Sequence, residues 1–232
     1  MQTSEEKAIH KEFELERIIL FSDAVFAIAI TLLIIEIKFP ENADLKNLHG
    51  AALLITFKPV IIQFSTFIIS FLIIGMYWFR HLQLCKYLKS YNNKVIFHNL
   101  LFLFFIVTFP FVVSGISHFG PRFHLPMHLY MINLFCLATA HYLFADYILY
   151  KNPQLSTHGN AEEKKYLTIQ SKFLAIMIGC SLVVVLTVFF MFDVESPYVI
   201  ASYQVITVFA LIMSWRIKKY KPKKKKNVII AQ

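Results

Sequence analysis

Glycine is scarce in this sequence, six residues in 232, and cysteine scarcer at three. The chain holds no P-loop, no Gly-rich nucleotide-binding motif and no nucleophile elbow, each of which needs glycines at fixed offsets. Cys85, Cys136 and Cys180 stand in or beside separate apolar runs with no CxxC pair, so neither a disulfide framework nor a metal site follows from them. Charge is thin as well: 16% of residues, with 14 acids against 23 Lys and Arg. The opening M-Q-T-S-E-E-K-A-I-H-K-E-F-E-L-E-R has no apolar stretch ahead of a small-residue cleavage site, which excludes a signal peptide. Nucleic-acid binding would need a folded basic surface, and the sequence offers none.

What fills the chain is apolar. Hydrophobic residues make up 57% of it, 24 of them Phe, and the mean hydropathy is +0.59. A soluble domain of this size has no use for so much apolar surface, so the fold class is an all-α, polytopic membrane protein of the cell membrane. Six runs approach or exceed the roughly 20 residues that cross a bilayer core. They are Ile18 to Ile37, Val60 to Phe79, Val95 to Ile116, Met127 to Tyr150, Phe173 to Phe192 and Tyr198 to Trp215. Pro59 suits the first turn of the second run, and Pro110 should bend the third. Nineteen of the 23 basic residues fall in the N-terminal segment, the loops after the second and fourth runs, and the tail. By the positive-inside rule both termini are then cytoplasmic. The expected organisation is a cytoplasmic segment over 1–16, a six-helix transmembrane domain over 17–217 and a basic tail over 218–232.

The first run, R-I-I-L-F-S-D-A-V-F-A-I-A-I-T-L-L-I-I-E-I-K from Arg17 to Lys38, organises the rest. Asp23 sits inside it, about 9 Å along the helix from Arg17. An acid at that depth is costly unless paired. At 100° per residue Ile28, Thr31, Leu32 and Ile35 form one stripe, and Asp23 lies about 140° from Ile28. Spacing alone leaves open whether that stripe is ordinary helix packing.

The residues R-x-x-x-F-S-D, carried by Arg17, Phe21, Ser22 and Asp23, followed by A-V-F-A-I-A-I-T-L-L-I-I-E-I, resemble the first transmembrane helix of potassium channels of the transmembrane protein 175 type. Weaker echoes run through Ser70 to His81 and His98 to Phe111. The resemblance covers the first half of the chain, while the second half matches only in its number of spans. It implies a potassium-selective channel whose pore is lined by the first helices of a homotetramer, with K⁺ as permeant ion and no cofactor. By position it makes Ile28, Leu32 and Ile35 an apolar constriction, with Thr31 offering a hydroxyl. The T-V-G-Y-G carbonyl filter is missing, so selectivity has to arise otherwise. A narrow apolar ring strips water without replacing it, which costs K⁺ less than Na⁺.

Trp78 and His81 share a face at the end of the second run, and Asn99 opens the third at the same depth. A network in which Asp23 accepts hydrogen bonds from Trp78, His81, Asn99 or Ser22 would offset its desolvation. His118, His124, His128 and His141 gather around the third and fourth runs without an HxxHH box, so no metal is assigned to them. They remain candidates for pH sensing on the non-cytoplasmic side. Asp146 should pair with a loop lysine. The tail W-R-I-K-K-Y-K-P-K-K-K-K could hold anionic lipid or only retain the C-terminus inside. The reading from another class is a cation- or proton-coupled secondary transporter. Its usual midplane charges and Gly/Pro-broken helices are sparse here.

Overall fold

The computed structural model describes residues 4–40, 49–119, 124–157, 160–193 and 196–204. Among them are seven α-helices: α1 (Ser4–Ile35), α2 (Ala51–Cys85), α3 (Asn93–Val107), α4 (Phe109–Phe119), α5 (Leu125–Asp146), α6 (Ala161–Met191) and α7 (Pro197–Ser202). Extended pairing among the described residues is a single bridge between Leu88 and Ser156. Five stretches are long and apolar enough to cross a membrane: 13–35, 51–85, 93–116, 125–151 and 161–191. The all-helical, many-span architecture read from composition is therefore the observed one. The sixth run, expected over Tyr198 to Trp215, begins in α7, and its remainder lies outside the described residues, as does the tail.

Two prolines act differently from each other. Pro59 was expected to open the second span but lies inside α2, which begins eight residues earlier at Ala51. The stretch A-A-L-L-I-T-F-K ahead of it has no turn-forming residue, so helix continues through one missing N–H. Pro110 does break its span. Its ring removes a donor for the carbonyl of Ile106, and the helix divides at Thr108 into α3 and α4. Bare carbonyls at that depth need partners. Asn133 of α5 supplies one, its Nδ2 donating to the Phe105 carbonyl at 3.2 Å while its Oδ1 accepts from the Thr108 hydroxyl at 2.7 Å.

Between helices in lipid the hydrophobic drive is weak, so packing rests on close contact and hydrogen bonds. α5 is the central post. Tyr130, Met131, Leu134, Leu137, Ala138 and Phe144 are all buried on it, against α3, α4 and α6. Phe102 of α3 joins the layers, its ring 5.9 Å from Phe26 of α1, 6.1 Å from Tyr77 of α2 and 5.4 Å from His141 of α5.

The loops grouped by charge meet at one end of the bundle. Lys89 N–H donates to the Leu155 carbonyl at 2.8 Å, and Thr157 N–H to the Tyr87 carbonyl at 2.8 Å. The Tyr91 hydroxyl donates to the Glu14 carboxylate, which ties α1 to the same end and pushes the tyrosine's pKa up. Asp146 pairs with Lys151 at 3.2 Å. This is the basic end that the positive-inside rule assigns to the cytoplasm.

Candidate functional site

The site is built on α1. Its buried side carries Ser22, Phe26, Ala29 and Leu33, at the i, i+4, i+7, i+11 spacing of one helix face. The side away from the bundle carries the expected stripe: Ile28 is 58% exposed, Leu32 39% and Ile35 65%, with Thr31 exposed between them. The two sets divide the helix cleanly, and the protomer alone leaves the stripe uncovered. The Thr31 hydroxyl donates to the Ile28 carbonyl at 2.9 Å, which leaves its oxygen lone pairs turned outward. Thr31 therefore keeps an acceptor on an otherwise apolar face.

Two separate polar ties fix the rotation of α1. In the buried tie, Ser22 Oγ donates to the Ile18 carbonyl at 2.9 Å and accepts from Asn99 Nδ2 at 2.9 Å. Asn99 Oδ1 meets His81 Nε2 at 2.9 Å, so the imidazole carries its proton on that nitrogen. Ser22, Asn99 and His81 are all at most 2% exposed. This chain pins α1 to α3 and α3 to α2. The His81 ring is also stacked on Phe102 at 5.6 Å.

The second tie is a single bond and less buried. Trp78 Nε1 donates to Asp23 Oδ1 at 2.9 Å, with Trp78 40% exposed. The sequence suggested one network centred on Asp23. The structure instead gives Asp23 a single donor from α2 and hands the other three residues to a chain of their own. Helix geometry explains the split, because Ser22 and Asp23 point about 100° apart and cannot both face α3. Arg17 and Phe21 join neither tie. They are exposed, and border a cleft of about 380 Å³ between α1 and α3 with Glu14, Tyr91 and Leu100.

The histidines of the far end are partly united. His128 Nδ1 bonds the His124 carbonyl at 2.7 Å, and His124 Nδ1 meets the Tyr203 hydroxyl at 3.0 Å. His141 sits well away from them, beside Tyr77 and Phe102. The side chain of His118 lies outside the described set. Among the described residues no three His, Cys, Asp or Glu side chains converge on a metal position. Sequence reasoning missed the Asn133–Thr108 brace. A lone Asn one helix away from a mid-span proline was the available signal.

A family profile described as "Endosomal/lysosomal potassium channel TMEM175" matches residues 17–110, the stretch holding α1, α2, α3 and both ties. Over that stretch the chain is similar to the TMEM175 family. It is 29% identical over 205 residues to a potassium channel of Chryseobacterium sp., covering 86% of this chain and 93% of that one. The mouse protein named endosomal/lysosomal proton channel TMEM175 is 29% identical over 119 residues, which are 50% of this chain and 24% of that one. Among solved structures, a lysosomal potassium-selective channel TMEM175 homolog from Chamaesiphon minutus superposes with a TM-score of 0.68 at 22% identity. That match covers 88% of this chain and 98% of the other. At that identity the likeness establishes the fold. The architecture is thus shared with that structure over most of the chain, while the family profile matches only residues 17–110.

Proposed function

We propose that this chain forms a potassium-permeable channel in which first helices from four copies surround the pore. The observation that carries the reading is the divided face of α1. Ile28, Leu32 and Ile35 are exposed in the protomer while Phe26, Ala29 and Leu33, on the other side of the same turns, are at most 1% exposed. Copies brought together on that stripe would ring an ion path with apolar side chains and one hydroxyl layer from Thr31. The mechanism is differential dehydration: a ring of branched side chains removes water and returns nothing, and K⁺ sheds water more cheaply than Na⁺. The Ser22–Asn99–His81 chain and the Asp23–Trp78 bond act as positioning elements that keep the stripe turned outward. The protein would have no catalytic role and need no cofactor.

The cell membrane is the proposed location, because the relative aligned over most of this chain is from Chryseobacterium, whereas the endosomal/lysosomal mouse protein shares only half of it. The name of that mouse protein puts protons beside K⁺ as an ion to be tested. Purified protein in liposomes under a K⁺ gradient separates the classes. A channel sustains electrogenic flux on the K⁺ gradient alone, at equal pH on both sides. A strict requirement for a second ion gradient would mean a coupled transporter, and flux carried by H⁺ but not K⁺ would replace the permeant ion.

A further inference from the structure

Behind the buried tie lies a second polar group that the channel reading leaves unused. Tyr77 and Arg80, three residues apart on α2, share a face. His141 of α5 meets the Tyr77 ring edge-on at 5.7 Å between centroids. Tyr77 is 0% exposed and His141 3%. Two buried donors here, the Tyr77 hydroxyl and Arg80 Nη1, have no hydrogen-bond partner among the described residues, while the His141 ring lies within reach of the Arg80 backbone. Buried polar atoms in native proteins are rarely left without a partner, so two such donors side by side point to a bound molecule.

The chemistry of the set says which kind. Arg80 Nη1 carries two N–H groups and the hydroxyl one O–H, against two acceptors, the hydroxyl oxygen and the bare ring nitrogen of His141. Donors outnumber acceptors, and the guanidinium adds a full positive charge. The ionisable groups in electrostatic reach of that charge are Tyr77, Tyr166 and His141, none of them an anion at neutral pH. Among the described residues Arg80 has no carboxylate in an ion pair. Arg80 is partly exposed but its Nη1 is buried, and a buried donor of a charged group favours an anion over water, which satisfies hydrogen bonds without cancelling charge. The enclosure of Tyr77 and His141 restricts the occupant to something compact.

We propose that Tyr77, Arg80 and His141 form a binding site for one small monovalent anion of halide size, between α2 and α5 near the basic end of the protomer. Chloride is the natural probe. It would accept from Arg80 Nη1 and the Tyr77 hydroxyl, beside the His141 ring, bracing α2 against α5 on the side away from the exposed stripe of α1.

Thermal unfolding of the purified full chain tests this, with chloride replacing gluconate at fixed K⁺ and ionic strength. The wild type should show a saturable rise in Tm with chloride, because a ligand that binds only the folded state stabilises it by mass action. Tyr77→Phe keeps the ring and removes one donor, and should weaken the apparent chloride affinity by about fivefold or more. Arg80→Gln should abolish the shift. A wild-type Tm that ignores chloride, or a rise that both variants retain, overturns the site. Bromide soaked into wild-type crystals provides an arm that does not depend on the variants folding. An anomalous peak between Tyr77, Arg80 and His141 supports the proposal, and density there that matches water alone refutes it.

Discussion

α1 and α5 are both apolar enough to cross a membrane, and the fold uses them in opposite ways. In the most apolar window of α5, 56% of residues are buried within the protomer, against 22% for α1. α5 braces the broken α3–α4 span through Asn133 and touches helices on several sides. α1 touches the bundle along one face and shows the other. Yet α1 carries the family's motif, and α5 lies outside the stretch that the family profile matches. The contrast teaches that the family profile follows the helix that shows one face away from its own protomer, not the helix packed on several sides. A core post such as α5 can be rebuilt from many apolar residues of suitable volume, whereas an exposed stripe held at one rotation cannot.

The largest effect on that contrast should come from cutting the buried tie. Asn99→Leu strands Ser22 and His81, each buried, at about 2–3 kcal/mol in total. Thermal unfolding should show it as a clear drop in Tm, and oligomer recovery on size exclusion should fall with it. Asp23→Ala comes next. It removes one charge-assisted bond of a partly exposed pair, so about 1 kcal/mol is expected. If Asp23→Ala proved costlier than Asn99→Leu, the ranking of exposed against buried ties would be reversed.

Glycines give the smallest and most directional pair. A Cβ on Gly179 of α6 would stand 2.8 Å from Cε2 of Phe135 on α5, while one on Gly75 of α2 meets nothing within 4 Å. Gly179→Ala should therefore lose up to about 1 kcal/mol net, overpacking outweighing the gain in helix propensity. Gly75→Ala should gain roughly 0.5–1 kcal/mol, read in the same unfolding assay. Equal signs for the two would show that the peripheral and central helices are packed alike.

Much of the fold was legible in composition and run length, because a bilayer forces helices of fixed minimum length. The break at Pro110 was legible too, while the helical passage through Pro59 was not, since one lost hydrogen bond does not outweigh the helix-compatible run ahead of it. At the site, the shared depth of Asp23 and Trp78 was legible, and Trp78 Nε1 donates to Asp23 Oδ1. The separation of Ser22, Asn99 and His81 into their own chain was not visible, because it depends on the rotation of three helices relative to one another. Tyr77, Arg80 and His141 were invisible as a group for the same reason: they come from helices separated by some 60 residues of sequence, and no spacing rule links them.

The central claim is that the exposed stripe of α1 lines the ion path, and reversal potentials under bi-ionic K⁺/Na⁺ conditions test it most directly. Ile28→Asn would place an amide oxygen at the proposed ring and replace part of the water that Na⁺ loses there. The K⁺/Na⁺ permeability ratio should then fall while conduction persists, about tenfold for each 1.4 kcal/mol of lost discrimination. Val183→Asn on α6, where Val183 is 63% exposed in the protomer, serves as the control and should leave the ratio unchanged. An Ile28→Asn channel that reverses at the wild-type potential would contradict the account.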